Sequence, residues 1–373
     1  MSSFESWARS LGPEEGSGLD SAMMALAQAQ WLATARADAP DWFPFLSGAI
    51  RSAGANPDTV YGVTPVDPRG VYRLSGSRGT VIFADVLIQS GIIGVVENPG
   101  PGVGVVDLTE LSVTPEGRFE VLLSGERPPG HEGAWVRLDP RADHLWLRQV
   151  ACDWEREVDY RVAIERLDAS PAGARAAAAT VLPAEAAAIA AYVERYTTRW
   201  RRHVERMAGK GLQNRLEIDV LPDETGQVAQ SYYQGLFEVP EGFALLLETP
   251  VPERCRYWSA QLTDASYTSL EWMHHQTSLN GVQASVDPDG RFRAVISAED
   301  PGIANWLDTL GHRRGTILGR WNRASASPLP TLTLVEQSRL HDHLLPGTPR
   351  LGPQERSARL AARARGIQMR RRW

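Results

Sequence analysis

The runs TVIFADVLIQ (80–89), FEVLLSG (119–125) and HLWLRQV (144–150) carry the fold of the first half of this chain. Each is short, rich in β-branched and large apolar residues, and bounded by turn-forming residues, the pattern of a strand between turns. GVYRLSG (70–76), IIGVV (92–96), VGVVDL (103–108) and AWVRL (134–138) read the same way, and YRVAIERLD (160–168) adds a closing strand. Turn signals recur every ~8–12 residues with no helical pattern between them, so an antiparallel sandwich is expected rather than βαβ units.

Working outward, residues 19–36 place apolar side chains three and four apart among good helix formers, with Asp20 or Ser21 as cap. They predict a helix packed on the body. Ala39-Pro40 and Phe43-Pro44 then hold the chain extended. Downstream, residues 170–208 are alanine-rich and helical, with Pro183 suited to the first turn of a second helix and Gly209 and Gly211 ending it. Tyr192, Tyr196, Trp200 and Val204 lie four apart, a stripe that packs on a sheet rather than a cofactor box.

Strand-like segments then resume as FALLLETP (243–250), CRYWSAQLTD (255–264), GVQASVD (281–287), RFRAVIS (291–297), GTILGRW (315–321) and TLTLVEQ (331–337). Asp287-Pro288-Asp289-Gly290 is a hairpin turn between two of them. A second all-β domain is therefore expected. The tail, PQERSARLAARARG (353–366), is a basic helix expected to dock with a solvated arginine-rich face, binding of an acidic partner being the alternative.

Composition excludes several function classes. A length of 373 residues suggests two domains, and 43% hydrophobic with 23% charged residues argues against global disorder. A net charge of -6 does not suit a nucleic-acid binder. No apolar run approaches the ~18–20 residues of a membrane span. The start MSSFESWARSLGPEEG lacks a secretory layout, and Cys152 and Cys255 lie far apart without metal-ligand spacing. A cytoplasmic protein with two reduced thiols is expected, one disulfide being the alternative. Lys210 is the only lysine and Gly211 follows it, which leaves Schiff-base, pyridoxal phosphate and P-loop chemistry without support. The chain lacks G-x-S-x-G, G-x-G-x-x-G after a strand, H-E-x-x-H and C-x-x-C, so no cofactor and no metal are expected.

Several residues are candidates for chemistry. In RYWSAQLTD, two-residue alternation puts Tyr257, Ser259, Gln261 and Thr263 on one face and the core residues Trp258 and Leu262 on the other. The polar face either meets a ligand in a concavity or is solvated and paired with neighbouring strands. Trp272-Met273-His274-His275-Gln276 is the densest polar and aromatic cluster; in a strand its two histidines face opposite ways, and either is a general base, a ligand contact or a structural group. Asp308 and His312 would meet at i, i+4 if Asn305–His312 is helical, as an acid–base pair or a loop tie. Trp306 lies beside them. Asn56, Pro57 and Asp58 form a turn that leaves Tyr61 unexplained, and Arg320 suits an anionic group or a buried carboxylate. His341-Asp342-His343 would share a face in a strand, but a third metal ligand is missing and a solvated loop is favoured.

Three stretches together carry a family resemblance. They are Asn56-Pro-Asp-Thr-Val-Tyr61 with VDPRGVYRLSG (66–76), Cys255–Asp264 running on to EWMHHQTSLN (271–280), and Asp300–Asp308 with Gly311-His312, Gly315 and Gly319-Arg320-Trp321. They resemble the bacterial family called domain of unknown function 1214, with an N-terminal part similar to its companion family 1254, from about residue 20 to the tail. The resemblance implies a mainly β protein, with an N-terminal immunoglobulin-like sandwich and a C-terminal jelly-roll-like sandwich joined by an α-helical connector. It supplies no agreed catalytic residues.

The expected organisation is a helical arm (1–50), a β-sandwich (51–168), a helical connector (169–215), a jelly-roll domain (216–345) and a basic helical tail (346–373). The leading functional expectation is a cofactor-independent enzyme, a hydrolase, lyase or isomerase acting on a hydrophobic small molecule. Its acid–base set would be Tyr61, His275, Asp308 and His312. Asp58, Tyr257, Gln261, Trp272, Gln276, Trp306 and Arg320 would bind the substrate in a cavity of the C-terminal half. Twelve tryptophans offer stacking surface for such a molecule. The alternatives are a non-catalytic carbohydrate or small-ligand binder, and a homo-oligomeric assembly protein.

Overall fold

Thr59–Pro65 (β1) pairs antiparallel with His144–Val150 (β7), from Thr59 against Val150 to Pro65 against His144. Around this pair a computed structural model, which describes residues 17–168, 180–219 and 230–370, shows a mainly β chain with four four-stranded sheets. The first sheet continues through Phe83–Gln89 (β3) to Gly102–Asp107 (β4) in the order β1-β7-β3-β4. The second is Trp135–Arg137 (β6), Arg118–Ser124 (β5), Tyr72–Ser77 (β2) and Arg161–Arg166 (β8). Tyr72, Leu74, Val121 and Leu123 of the second sheet share one core with Val63, Val86 and Leu147 of the first. That shared core makes the pair a sandwich.

The C-terminal half repeats the plan. One sheet is Gln230–Glu238 (β10), Arg314–Asn322 (β16), Tyr257–Thr263 (β12) and Ser278–Asn280 (β13). The other is Trp306–Asp308 (β15), Arg291–Ser297 (β14), Phe243–Pro250 (β11) and Thr331–Glu336 (β17). Trp258, Ala260, Leu262 and Ile317 pack on Leu245, Leu247, Phe292 and Ile296 between them. A short strand, Arg215–Asp219 (β9), lies beside β10.

Helices join the halves. Ser17–Thr34 (α1) packs on Ala186–Gly209 (α2), the connector. Gln28 of α1 is fully buried; its Nε2 donates to the Phe45 carbonyl at 2.9 Å and to the Tyr196 hydroxyl at 3.2 Å, while Tyr192 donates to its Oε1. The first part of the connector, 169–179, lies outside the described residues. Among the described residues no helix is long and apolar enough to cross a membrane.

The last helix, Pro353–Arg370 (α3), departs from expectation. Its arginines at seven-residue spacing, Arg356, Arg363 and Arg370, point inward and are buried, so the docked face is the basic one rather than the solvated one. Arg370 forms a bidentate pair with Asp159 at 2.9 and 3.1 Å and donates to the Asp58 carbonyl, both in the N-terminal sandwich. Arg363 donates to the Trp272 carbonyl and the Ser278 hydroxyl, and Arg356 pairs with Asp300, all in the C-terminal sandwich. One helix thus clasps both halves, and each guanidinium offsets its desolvation through several acceptors.

Other local expectations are corrected. IIGVV (92–96) is a turn, where the Val95 and Val96 amides donate back to the Ile92 carbonyl. GVQASVD (281–287) is also a turn, capped by Asn280, whose Oδ1 accepts the amides of Val282 and Gln283. Asn305–His312 is not helical: Trp306–Asp308 is a strand, and Leu310 then turns at φ 53°. Residues 271–277 form a bend rather than a strand, and His341–His343 lie in a 3-10 turn, so neither period-two argument applies to their histidines.

Candidate functional site

Strand β12 faces two ways, as its alternation requires. Trp258 and Leu262 enter the C-terminal core, and the opposite face meets the N-terminal sandwich rather than solvent. The Tyr257 hydroxyl donates to Asp58 Oδ2 at 2.8 Å and accepts from Asn56 Nδ2 at 2.8 Å. Gln261 Nε2 donates to the carbonyl of Ala55 at 3.0 Å. The segment 52–56 is therefore the N-terminal half's docking loop. Gly54 sits there at φ +60°, and a Cβ would lie 2.8 Å from Leu318, so the loop needs glycine for both its backbone and its close approach.

Between the two sandwiches and α2 lies a cavity of about 390 Å³, within the range of small-molecule sites of about 300–1,000 Å³. The N-terminal half contributes Tyr61, Phe83, Trp146 and Arg148 to its wall, and the C-terminal half Tyr232, Tyr267, Leu318 and Arg320. Helix α2 contributes Tyr196, Arg199, Trp200, His203 and Arg206, one face at three- and four-residue steps. Trp200 stacks on Tyr267 with ring centroids 5.5 Å apart and planes 12° apart.

The polar groups of this wall are specific. Arg320 is buried at 6% exposure; its Nη1 donates to Gln261 Oε1 at 2.5 Å and its Nη2 to the Gly54 carbonyl at 3.0 Å. Its guanidinium lies 5.5 Å from the Tyr232 ring centroid. His203 donates from Nε2 to Gln234 Oε1 and accepts from Arg206 at Nδ1, both at 2.9 Å. Burial, with the Arg206 charge beside it, holds this imidazole below its ordinary pKa, so it is neutral at pH 7. Tyr61 accepts the Asn56 amide at 3.1 Å, and its own proton has no acceptor among the described residues. Arg148 stands in register with Asp85 on β3, whose carboxyl is pushed up by burial to about 6.

Most of the sequence candidates fall into three groups. Tyr61 and Arg320 line the cavity, and Gln261 orients Arg320. Tyr257 and Asp58 stand behind the wall as the interdomain link. Asp58 also accepts from Trp154 Nε1 at 2.9 Å and Asn280 Nδ2 at 2.7 Å, and burial raises its pKa. Trp272, Gln276 and Trp306 lie under α3 instead. The Trp272 carbonyl takes Arg363, Gln276 Oε1 takes Arg356, and Arg356 covers the Trp306 ring at 5.1 Å.

His275 and Asp308 pair with each other, Nδ1 to Oδ2 at 3.1 Å, on a half-exposed surface outside the cavity. The expected Asp308–His312 pair does not form, because the strand and turn carry His312 to an exposed loop near Asp264. The convergence expected inside the C-terminal half is thus replaced by one between the halves, and His275 is not part of it.

The residues missed by sequence reading are the cavity's helical and aromatic members. The signal was present in α2: His203 and Arg199 sit one turn from the Tyr196–Trp200 stripe, a polar edge that a purely packing face would not carry.

Comparison with known proteins bears on the C-terminal wall. Residues 237–320 match the family described as "Protein of unknown function (DUF1214)". The DUF1214 stretch holds Tyr257, Gln261, Tyr267, Leu318 and Arg320, so it includes the Arg320 side of the cavity. It does not extend into the N-terminal sandwich, and the expected likeness of that part to the companion family is not shown. A crystal structure of an uncharacterized protein from Burkholderia cenocepacia is similar over 90% of this chain and 94% of its own, with 27% identity and a TM-score of 0.79. The pairing of the two sandwiches is therefore shared beyond the DUF1214 stretch. A protein from Vibrio parahaemolyticus aligns over 85% of this chain and 98% of its own at 13% identity and a TM-score of 0.49. No curated protein matches the chain.

Proposed function

We propose that the protein binds a small, largely apolar molecule in the cavity between its two sandwiches. The observation that carries this reading is the wall itself, an interdomain space of about 390 Å³ flanked by stacked aromatic rings and a few fixed polar groups. Binding stands ahead of acid–base turnover because the imidazole in the wall, His203, has both nitrogens engaged, and His275, Asp308 and His312 lie elsewhere. Turnover at the same cavity is a second reading, favoured by one observation: the Tyr61 proton is uncommitted and available to a ligand as a hydrogen bond or an acid. The same proposal places the protein in the cytoplasm, where the thiols of Cys152 and Cys255 stay reduced.

The test uses N-phenyl-1-naphthylamine, a neutral probe whose fluorescence rises in apolar surroundings. The protein is expected to bind it, and Thr59→Trp, which fills the cavity from β1, is expected to abolish the signal while leaving the circular dichroism spectrum unchanged. Equal binding by the filled variant would remove the cavity as the site.

A further inference from the structure

We infer that the ligand of the interdomain cavity carries an oxyanion, a carboxylate or its like, seated against Arg320. The inference rests on the cavity being the ligand site and adds the charge of what enters it.

A guanidinium has five N–H donors. Arg320 spends one on Gln261 and one on Gly54, both neutral, and the remaining three find no acceptor among the described residues. The side chain is buried, yet it has no ion pair among the described residues. Its neighbours Tyr61, Tyr232, Tyr257 and Tyr267 are phenols rather than carboxylates. Burying a cation without a counter-charge is costly, and proteins ordinarily place a carboxylate there.

Two carboxylates behind the wall are directed elsewhere. Asp58 takes donors from Tyr257, Trp154 and Asn280, and Asp219 takes Gln234 Nε2 at 2.5 Å. No aspartate or glutamate lines the cavity among the described residues, whereas Arg148, Arg199 and Arg206 line it with Arg320. Arg148 has Asp85 beside it in register, but its buried Nε has no hydrogen-bond partner among the described residues. Gln261 and the Gly54 carbonyl hold the Arg320 fork in one orientation, which is what a planar anion requires of its receptor. The aromatic walls then take the apolar body of the same molecule.

The experiment compares 2-naphthoate with 2-naphthamide, equal in shape and differing in charge, by isothermal titration calorimetry. The naphthoate is expected to bind about tenfold tighter or more. Arg320→Gln is expected to reduce that preference to within about threefold, and Arg148→Gln, on a half-buried residue, to narrow it should Arg320→Gln not fold. Because the pair is buried, the wild-type preference should persist when salt rises from about 0.05 to about 0.5 M, where surface attraction would be screened away. Equal binding of acid and amide would overturn the oxyanion and leave the cavity as a binding site. Binding of neither would overturn the cavity reading as well. A preference untouched by both variants would move the anion site away from Arg320.

Discussion

The hydroxyl of Tyr257, in the C-terminal sandwich, donates to the carboxylate of Asp58, in the N-terminal one, at 2.8 Å, and both groups are fully enclosed. The sequence separation is 199 residues, so this bond exists only when the halves have docked. Tyr257→Phe leaves one oxygen of a buried carboxyl short of a donor. It is expected to cost about 1–3 kcal/mol in urea unfolding, with little change in the circular dichroism of either sandwich. An unchanged midpoint would mean that the bond contributes nothing to docking.

Gly54→Ala tests the docking loop. The positive φ and the approach to Leu318 both oppose a methyl group, at a cost of roughly 1–3 kcal/mol. The same substitution should weaken binding of the fluorescent probe, because Gly54 supports Arg320 and lines the cavity. Calorimetric melting and probe titration on one sample check both effects.

Asp85 makes stability depend on pH. Its folded pKa is raised from 3.8 to about 6, so between those values the native state holds a proton that the unfolded state releases. Stability from this group is present below pH about 4, falls as pH rises through that window and is level above about 6. Two pH units correspond to about 3 kcal/mol. Asp85→Asn should therefore gain on the wild type between pH 4 and pH 8 in parallel urea titrations, and a constant difference would contradict the assignment.

Arg370→Ala removes the bidentate cationic partner of Asp159, whose side chain is 1% exposed. The expected loss is about 3–5 kcal/mol, with Arg370→Met plus Asp159→Leu recovering much of it. Thermal unfolding of the single and double variants distinguishes a buried pair from a surface contact, for which both would be near neutral.

His275→Ala is expected to leave probe binding within about twofold and stability within about 0.5 kcal/mol, since its partner contact is half-exposed. A larger loss of binding would return the His275–Asp308 pair to the functional site.

Most of the architecture was legible because buried strands such as FADVLIQ and LWLRQV keep their apolar pattern in one dimension. Five strands escaped, two of them long and the others three to five residues each. TVYGVTP follows a turn-forming Asn-Pro-Asp and was not read as a strand, while QSYYQGLFE mixes polar and aromatic residues because one face serves the cavity. IIGVV and GVQASVD misled for the converse reason: their apolar residues sit in turns closed by local hydrogen bonds and pinned from a distance, by Arg195 on the Gly94 and Val95 carbonyls and by Asn305 on the Ser285 backbone.

The site was legible only in pieces. Tyr61 stood out because the turn at Asn56–Asp58 leaves it unexplained, and Arg320 as a cation suited to an anion, but what brings them together is the docking of two halves and a helix. Nothing in a periodicity records that. The arginines of α3 illustrate the same limit, since a heptad of basic residues reads as a wet surface until the carboxylates and carbonyls beneath it are known.

Because α3 follows both sandwiches along the chain and grips each of them, a ribosome delivers the clasp only after the two parts it joins. The nascent protein passes through an interval in which both sandwiches have emerged while the inward-facing cations that fasten them are still awaited. Fastening by α3 is then a late event in biogenesis, because the clasp follows in sequence both parts that it joins.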